Sequence, residues 1–358
     1  MRILYFAPIP FDGLKQRPQY LAEGLAKNHE VVYVEPTVSV MKYLLKGGER
    51  PAGQLREAGR NLHVLRLSGW LTAHRSLEAV TPLFCLAERL QLRKHLRWAE
   101  LVWIGYAPWY GLVKSFRGRI VYDKMDEDRS ITRNRLLRRL IEGREPQLVE
   151  RADLIFVTAQ RFYDALSPRK ARVCLVKNAL DPADTPQDAP PAGDRATGER
   201  VFGYVGMISH WFDMEAIRTI LEADERNRVV LVGPTEIPRL DHPRLQYVGA
   251  VPKAQVAGWI RKFDVCLYPF LKTPFLDTVD PVKIYEYLAQ NKPVLAADSA
   301  EVRRFGSLLV RYGDSAALKA ALAGPFVPPF ADPRQLADFR EENTWDRRVR
   351  QIEGELVR

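Results

Sequence analysis

What most constrains this chain is the alternation of short apolar runs with stretches of helical period. Residues 2–7, Arg2-Ile3-Leu4-Tyr5-Phe6-Ala7, read as a buried strand. Arg17-Pro18 then opens an amphipathic stretch that uses Tyr20, Leu21 and Leu25 and ends near Asn28. A second run follows, His29-Glu30-Val31-Val32-Tyr33-Val34-Glu35. Strand, helix and strand at this spacing make a crossover unit, which implies a parallel sheet. Further runs lie at 62–67, 101–106, 119–122, 154–158 and 171–176, with a less regular stretch at 37–60. After a break the pattern resumes at 201–206, 228–233, 245–249, 265–269 and 293–297. The expectation is α/β, with two doubly wound domains. The break contains Pro182, Pro186, Pro190, Pro191, Gly193 and Gly198 among small and acidic residues, the composition of a linker. The boundaries read from this are 1–180, a linker at 181–200, 201–331, and a terminal helical segment at 332–358 lying against the first domain.

A chain of 358 residues suits two domains, and 46% hydrophobic residues suffice for two cores. Cys85, Cys174 and Cys266 are far apart and lack metal spacing. Cys174 and Cys266 fall in apolar runs, as buried free thiols of a reducing compartment do. The six histidines show no paired ligand spacing, so no structural metal is expected. The first apolar run is cut short by Pro8, and none reaches the ~18 residues of a membrane span. A cytoplasmic protein is the expectation. A net charge of +10 leaves nucleic acid, an anionic membrane face and phosphate-bearing substrates open as partners, or solubility alone.

Chemistry concentrates in the stretch 277–294. Asp280 reads as an N-cap with Pro281 in the first helical position. Asn291 and Pro293 end the helix. Val282, Tyr285 and Ala289 make the expected buried stripe, while Lys283 and Glu286, three apart, share another face. Free N–H groups with a lysine beside them suit phosphate, and a carboxylate one turn deeper suits a ribose diol. The competing reading is a surface Lys283–Glu286 pair worth a few tenths of a kcal/mol.

In the first domain, no Gly-x-Gly-x-x-Gly follows the first strand, so a dinucleotide fingerprint is absent. The turn holding Asp12 and Gly13 leads to Arg17, at the sheet end where ligands bind in such folds. The strand at 119–122 delivers Asp123, Asp126, Glu127 and Asp128 to the same kind of edge. Asp126 and Asp123 are the candidate acid–base groups, against a plain helix-capping role. Two basic stretches, Arg89 to Arg97 and Arg133 to Arg144, read as solvated faces or as contacts with an anionic leaflet.

Several motifs in order add a resemblance. Gly203-Tyr204-Val205-Gly206-Met207-Ile208-Ser209-His210-Trp211-Phe212-Asp213 resembles the first turn of the donor domain of GT-B glycosyltransferases, of the teichuronic acid glycosyltransferase type. Leu231-Val232-Gly233-Pro234, Tyr247-Val248-Gly249, Asp264 to Phe270 and Pro281 to Ala289 follow in the family's order. Arg17 to Ala22, Tyr122 to Asp126 and Lys177-Asn178 match in the first domain. The resemblance implies a GT-B fold, two Rossmann-like domains facing across a cleft, and a metal-independent transferase. It implies a nucleoside-diphosphate sugar as donor substrate, no other cofactor, and a glycan or lipid-linked acceptor.

Glu286 matches the ribose-binding glutamate and Gly206 the glycine that admits the diphosphate. Tyr247 to Pro252, with Val248 and Val251, matches the base-reading loop; Asp280, Val282, Lys283 and His210 complete the implied donor site. Arg17, Asp12 and Gly13 would face an acceptor or phosphate. An anionic membrane surface is an implied partner and nucleic acid is not. In the family that the chain resembles, many members carry a second glutamate where Thr278 stands, and Arg and Lys after the glycine turn where Met207 and Phe212 stand. The anomeric outcome is therefore open. Two other classes compete: a sugar-nucleotide epimerase on this fold, and a non-enzymatic basic module binding nucleic acid or a membrane surface.

Overall fold

The computed structural model describes residues 1–13, 15–46, 53–69, 85–132, 134–170, 172–181 and 198–358. The expected linker is thus described only at 181 and 198–200, and Arg133 of the second basic stretch lies outside the described residues. The chain forms two compact units, Met1–Lys177 with Val349–Arg358, and Asn178–Arg348. The terminal segment 332–358 is accordingly divided. Its first part belongs to the second unit, where Phe339 packs near Tyr285 and Phe330 and Arg340 Nε donates to Ala289 O at 2.7 Å. Its last residues join the first unit, where Gly24 leaves room for Val349; a Cβ there would lie 2.4 Å from Val349 Cγ2.

The first unit holds an eight-stranded sheet in the order β3-β4-β2-β1-β5-β6-β7-β8. The strands are β1 Arg2–Phe6, β2 Glu30–Ser39, β3 Gln54–Gly59, β4 Leu62–Gly69, β5 Leu101–Ile104, β6 Arg119–Lys124, β7 Leu154–Val157 and β8 Val173–Leu175. All pairs are parallel except β3 with β4. Within the stretch 37–60, the described residues 37–46 and 53–60 are more regular than their composition suggests. Strand β2 runs on to Ser39, a helix spans Val40–Lys46, and β3 adds an antiparallel edge. Such an edge strand needs only one apolar face, so its pattern is weak. Central β1 is apolar throughout, and Ile3, Leu4, Tyr5 and Phe6 are fully buried. On one face Tyr33, Tyr5, Trp103 and Phe156 stack in a row with centroids 5.3–5.6 Å apart. The strand order reverses between β1 and β5, the point where ligand crevices open in such sheets.

The second unit holds a six-stranded sheet in the order β11-β10-β9-β12-β13-β14. Its strands, all parallel, are β9 Arg200–Val205, β10 Asn227–Val232, β11 Leu245–Gly249, β12 Val265–Tyr268, β13 Val294–Ala297 and β14 Val310–Tyr312. The order reverses between β9 and β12. The helix Val282–Ala289 is no one-stripe surface helix: Ile284 to Ala289 are all buried. A helix enclosed all round needs internal partners for every polar side chain. Cys85 and Cys266 are buried and Cys174 is half-buried, all as free thiols. Burial pushes the Cys174 thiol up to about 11 and the Cys85 thiol up to about 12. Among the described residues no helix is long and apolar enough to cross a membrane.

Candidate active site

In the second unit, two glycine turns interlock at the carboxyl ends of β9 and β10. Gly206 and Gly233 have φ of 156° and 147°, a region that favours glycine. A Cβ on Gly233 would lie 1.9 Å from Gly206 O, and one on Gly206 would lie 2.4 Å from Tyr204 Oη. Gly206 N also donates to Val232 O at 2.9 Å. The loop after Gly206 is stitched down on both sides. Ile208 N donates to Pro234 O at 2.9 Å, and Asp213 N to Pro269 O at 2.8 Å. Asp213 caps the next helix through Glu215 N and Ala216 N. Phe212 is 3% exposed and packs edge-on to Tyr204, so it faces the core. His210 is exposed, edge-on to Trp211, with Nδ1 3.3 Å from Ser209 Oγ.

Glu286 is 5% exposed, which removes the surface-pair reading. Its Oε1 accepts from Lys253 Nζ at 2.7 Å and its Oε2 from Lys283 Nζ at 2.8 Å. Burial alone would push its pKa up, but the two lysines outweigh it and the carboxyl is held below the usual range. Lys253 opens the helix Lys253–Arg261 just beyond β11. Sequence reasoning missed it because its partner is 33 residues away. No local spacing encodes that pair.

Asp280 does not cap the helix; Pro281 occupies that position and makes no side-chain cap bond. The Asp280 carboxylate is instead buried, accepting from Arg304 Nη2 at 2.6 Å and from Asn178 N at 2.5 Å. Arg304 also bonds Tyr285 Oη. Held by a guanidinium and a backbone N–H, the Asp280 carboxylate is engaged by partners outside its own helix. Thr278 is buried and donates to Phe275 O at 2.6 Å. Val282, Val248 and Val251 are half-buried, and Val248 and Val251 pack on the core. Tyr247 is half-buried, accepts from Leu240 N at 3.0 Å, and carries Arg239 over its ring at 5.0 Å.

In the first unit, β6 runs two residues further than its apolar pattern, to Lys124. This buries Asp123 completely, and Arg17, 5% exposed, pairs with it at 2.8 Å. Arg17 Nη1 also donates to Val176 O at 2.9 Å. The two residues expected at the site, one as a base and one as a phosphate ligand, are therefore spent on each other. Asp12 pairs with Arg56 at 2.6 Å, and Gly13 has φ 126° with open space around it. The turn itself hangs on Glu35, which accepts from Phe11 N at 2.9 Å and from Arg66 Nε at 2.8 Å.

Asp126 is half-buried in the loop after β6, so of the two aspartates it alone keeps a surface. Beside it Lys124 pairs with Glu145 at 2.5 Å and lies 3.9 Å from Glu127. Burial, with Asp126, Glu145 and Glu127 adding repulsion against the pull of Lys124, raises the Asp128 pKa well above the usual carboxylate range. Asp128 is thus a perturbed neighbour of Asp126 that sequence spacing did not single out. Among the described residues no group of three or more His, Cys, Asp and Glu side chains is placed to hold a metal ion.

Residues 199–324 match the family model described as Glycosyl transferases group 1. A Bacillus subtilis protein assigned to teichuronic acid biosynthesis, the glycosyltransferase TuaH, is 22% identical over 202 residues. That match covers 50% of this chain and 50% of the relative, so the chain spans about half the length of the curated relative it matches. Among solved structures, sucrose-phosphate synthase from Thermosynechococcus elongatus superposes with a TM-score of 0.69 at 17% identity, covering 99% of this chain and 98% of that one. The Anabaena HepE protein in complex with UDP gives 0.65 at 14% identity, covering 100% of both chains. An alpha,alpha-trehalose-phosphate synthase (UDP-forming) from Burkholderia vietnamiensis gives 0.68 at 14% identity, over 99% and 98%. Two Rossmann-like units of parallel or nearly parallel sheet, matched end to end in this way, are the GT-B fold.

Proposed function

We propose that the protein is a glycosyltransferase that moves a hexose from a nucleoside-diphosphate sugar to a glycan or lipid-linked acceptor in cell-surface polysaccharide synthesis. The observation that carries this reading is the buried, ionised Glu286 with its lysines, in the same unit as the interlocked Gly206 and Gly233 turns. A carboxylate, cations and close-approach glycines are what a ribose and a diphosphate require. The group 1 match over 199–324 and the likeness to UDP-using relatives support the same reading. In it, Tyr247, Val248 and Val251 line the base, Val282, Lys283 and His210 the phosphates and sugar, and Asp280 holds the helix. Asp126 is the acceptor's base, and Asp12 and Gly13 border the acceptor.

The exposed Arg135, Arg138 and Arg139 would draw the first unit to the inner face of an anionic membrane, near a lipid-linked acceptor. Arg89 and Arg144 contribute less, since Arg89 Nη2 donates to Gly111 O at 3.1 Å and Arg144 is half-buried. Thermal-shift screening against UDP, GDP, ADP and TDP tests the core of the reading. A ligand at 100 times its Kd should add about 2.7 kcal/mol of stability. Slow hydrolysis of the matching nucleotide sugar should accompany binding. No stabilisation by any of them, or conversion of one nucleotide sugar into another, would count against a transferase.

A further inference from the structure

We infer that the groove between the helix Leu86–Trp98 and the β3–β4 hairpin is a binding site for the headgroup phosphate of an anionic phospholipid. Every residue in it belongs to the first unit, so it stands apart from the donor reading above. The groove holds about 390 Å³, within the range of small-molecule sites. Arg93, Lys94, His95 and Arg97 line it from the helix together with Leu90, and Leu55 faces them from the hairpin. Among the described residues that line it none is acidic. Gln91 ties the helix to the hairpin: its Nε2 donates to Ser68 O at 2.6 Å and its Oε1 accepts from Ser68 N at 3.1 Å. Gly53 admits that side chain, since a Cβ there would lie 2.6 Å from Gln91 Oε1.

Two features of the groove call for an anion. His95 is 7% exposed, and its Nε2 is buried without a hydrogen-bond partner among the described residues. A buried polar atom left unpaired is costly, and a phosphate oxygen supplies a partner. Burial, and then Lys94, lowers the His95 pKa, so near neutral pH the ring is uncharged and one of its nitrogens is a donor. The second feature is unbalanced charge. Arg93, Lys94 and Arg97 are exposed and form no ion pair among the described residues. Arg93 and Arg97, four apart, repel each other along the helix. The helix dipole favours cations only in the last turn, which holds His95 and Arg97, so it does not account for Arg93 and Lys94. The apolar neighbours select a lipid over a free phosphate. Leu86 and Leu90, 55% and 61% exposed, continue the cationic face toward the start of the helix, and Leu55 across the groove is 46% exposed. The helical period puts residues 86, 90, 93, 94 and 97 within about 100° of one another. Leucines and cations on one face match the acyl boundary and the charged headgroup of a lipid. Such a site is saturable and selects its headgroup, unlike the diffuse attraction of Arg135, Arg138 and Arg139.

The test titrates the full chain with dihexanoyl phosphatidylglycerol below its micelle concentration, with dihexanoyl phosphatidylcholine and with inorganic phosphate, by calorimetry and by NMR of the histidine rings. Phosphatidylglycerol should bind saturably at one site, shift the His95 resonances, and bind about tenfold or more tightly than either of the others. Lys94→Gln and Arg97→Gln should each weaken it about tenfold, as expected for one lost charged hydrogen bond. Arg135→Gln, Arg138→Gln and Arg139→Gln combined should leave its affinity within about twofold, as independent sites do. Binding that never saturates, equal affinity for the two lipids, or unchanged affinity in a folded Lys94→Gln protein would overturn the site. Inorganic phosphate that binds as tightly as phosphatidylglycerol, with the same His95 shift, would make the groove a free-phosphate site and overturn the lipid assignment.

Discussion

Arg17 and Asp123 neutralise each other inside the first unit. Nη2 of Arg17 lies 2.8 Å from Oδ1 of Asp123, and Nε lies 3.1 Å from Oδ2. The contact joins residues 106 apart in the chain and ties the first helix to β6. A forked, buried pair of this kind is costly to break, because the survivor is left as an uncompensated charge.

Asp123→Ala should therefore lower stability by about 3–5 kcal/mol, the scale for removing one partner of a buried pair. Urea unfolding followed by circular dichroism measures it. Replacing Arg17 and Asp123 together by apolar residues should destabilise less than Asp123→Ala alone. A fully stable Asp123→Ala protein with abolished turnover would instead return Asp123 to the chemistry.

Asp126 carries the acid–base proposal by itself. Asp126→Asn should leave donor affinity unchanged and lower turnover by roughly 10²–10⁴-fold, the usual effect of losing a general base. Product anomeric configuration, read by NMR, belongs beside the rate. Retained configuration together with a nearly active Asp126→Asn enzyme would remove the assignment.

Gly233→Ala should distort the interlocked glycine turns. The added Cβ would meet Gly206 O at 1.9 Å in a backbone region alanine disfavours. A loss of at least about 2 kcal/mol is expected from backbone strain and overlap. Gly13→Ala makes the control: its φ is 126° but nothing lies within 4 Å, so only the conformational cost remains. Thermal denaturation of both variants, with and without nucleotide, separates overlap from strain. Equal Tm losses would sink the interlocking account.

Asp128 sets a pH dependence. Its pKa is raised in the folded protein by burial and by Asp126, Glu145 and Glu127. A carboxyl raised on folding binds more protons in the native than in the unfolded state, between the two values. Its stabilising contribution is full below the unfolded pKa of about 3.9 and is lost as pH rises through the folded value. Asp128→Asn should thus raise Tm at neutral pH and flatten the decline from acid toward neutral pH. An unchanged pH–Tm profile in the variant would show that Asp128 ionises normally.

How much of this was legible beforehand depended on range along the chain. The crossover unit at 2–35, the positions of both sheets and the buried central strands follow from apolar periodicity, a property of neighbours. The antiparallel β3 escaped because an edge strand buries little. Glu286, Lys283 and Gly206 were legible as site candidates, since capping residues and glycine turns are local devices. Asp280 was misread for the same reason: a good N-cap residue meets its local rule equally well when a distant arginine has claimed it.

What the sequence by itself determined was the alternating pattern, hence two parallel α/β layers and the glycine turns at their strand ends. Which charges stay available was decided only in three dimensions. Asp123 was expected as an acid–base group and Arg17 as an acceptor or phosphate ligand, and folding brought them within 2.8 Å, where burial requires that each neutralise the other. Lys253 drew no notice in the sequence, and folding set it 2.7 Å from Glu286. Periodicity follows from backbone geometry a few residues at a time. Electrostatic pairing follows from distance in space and from how much water is excluded, and neither is written in local spacing.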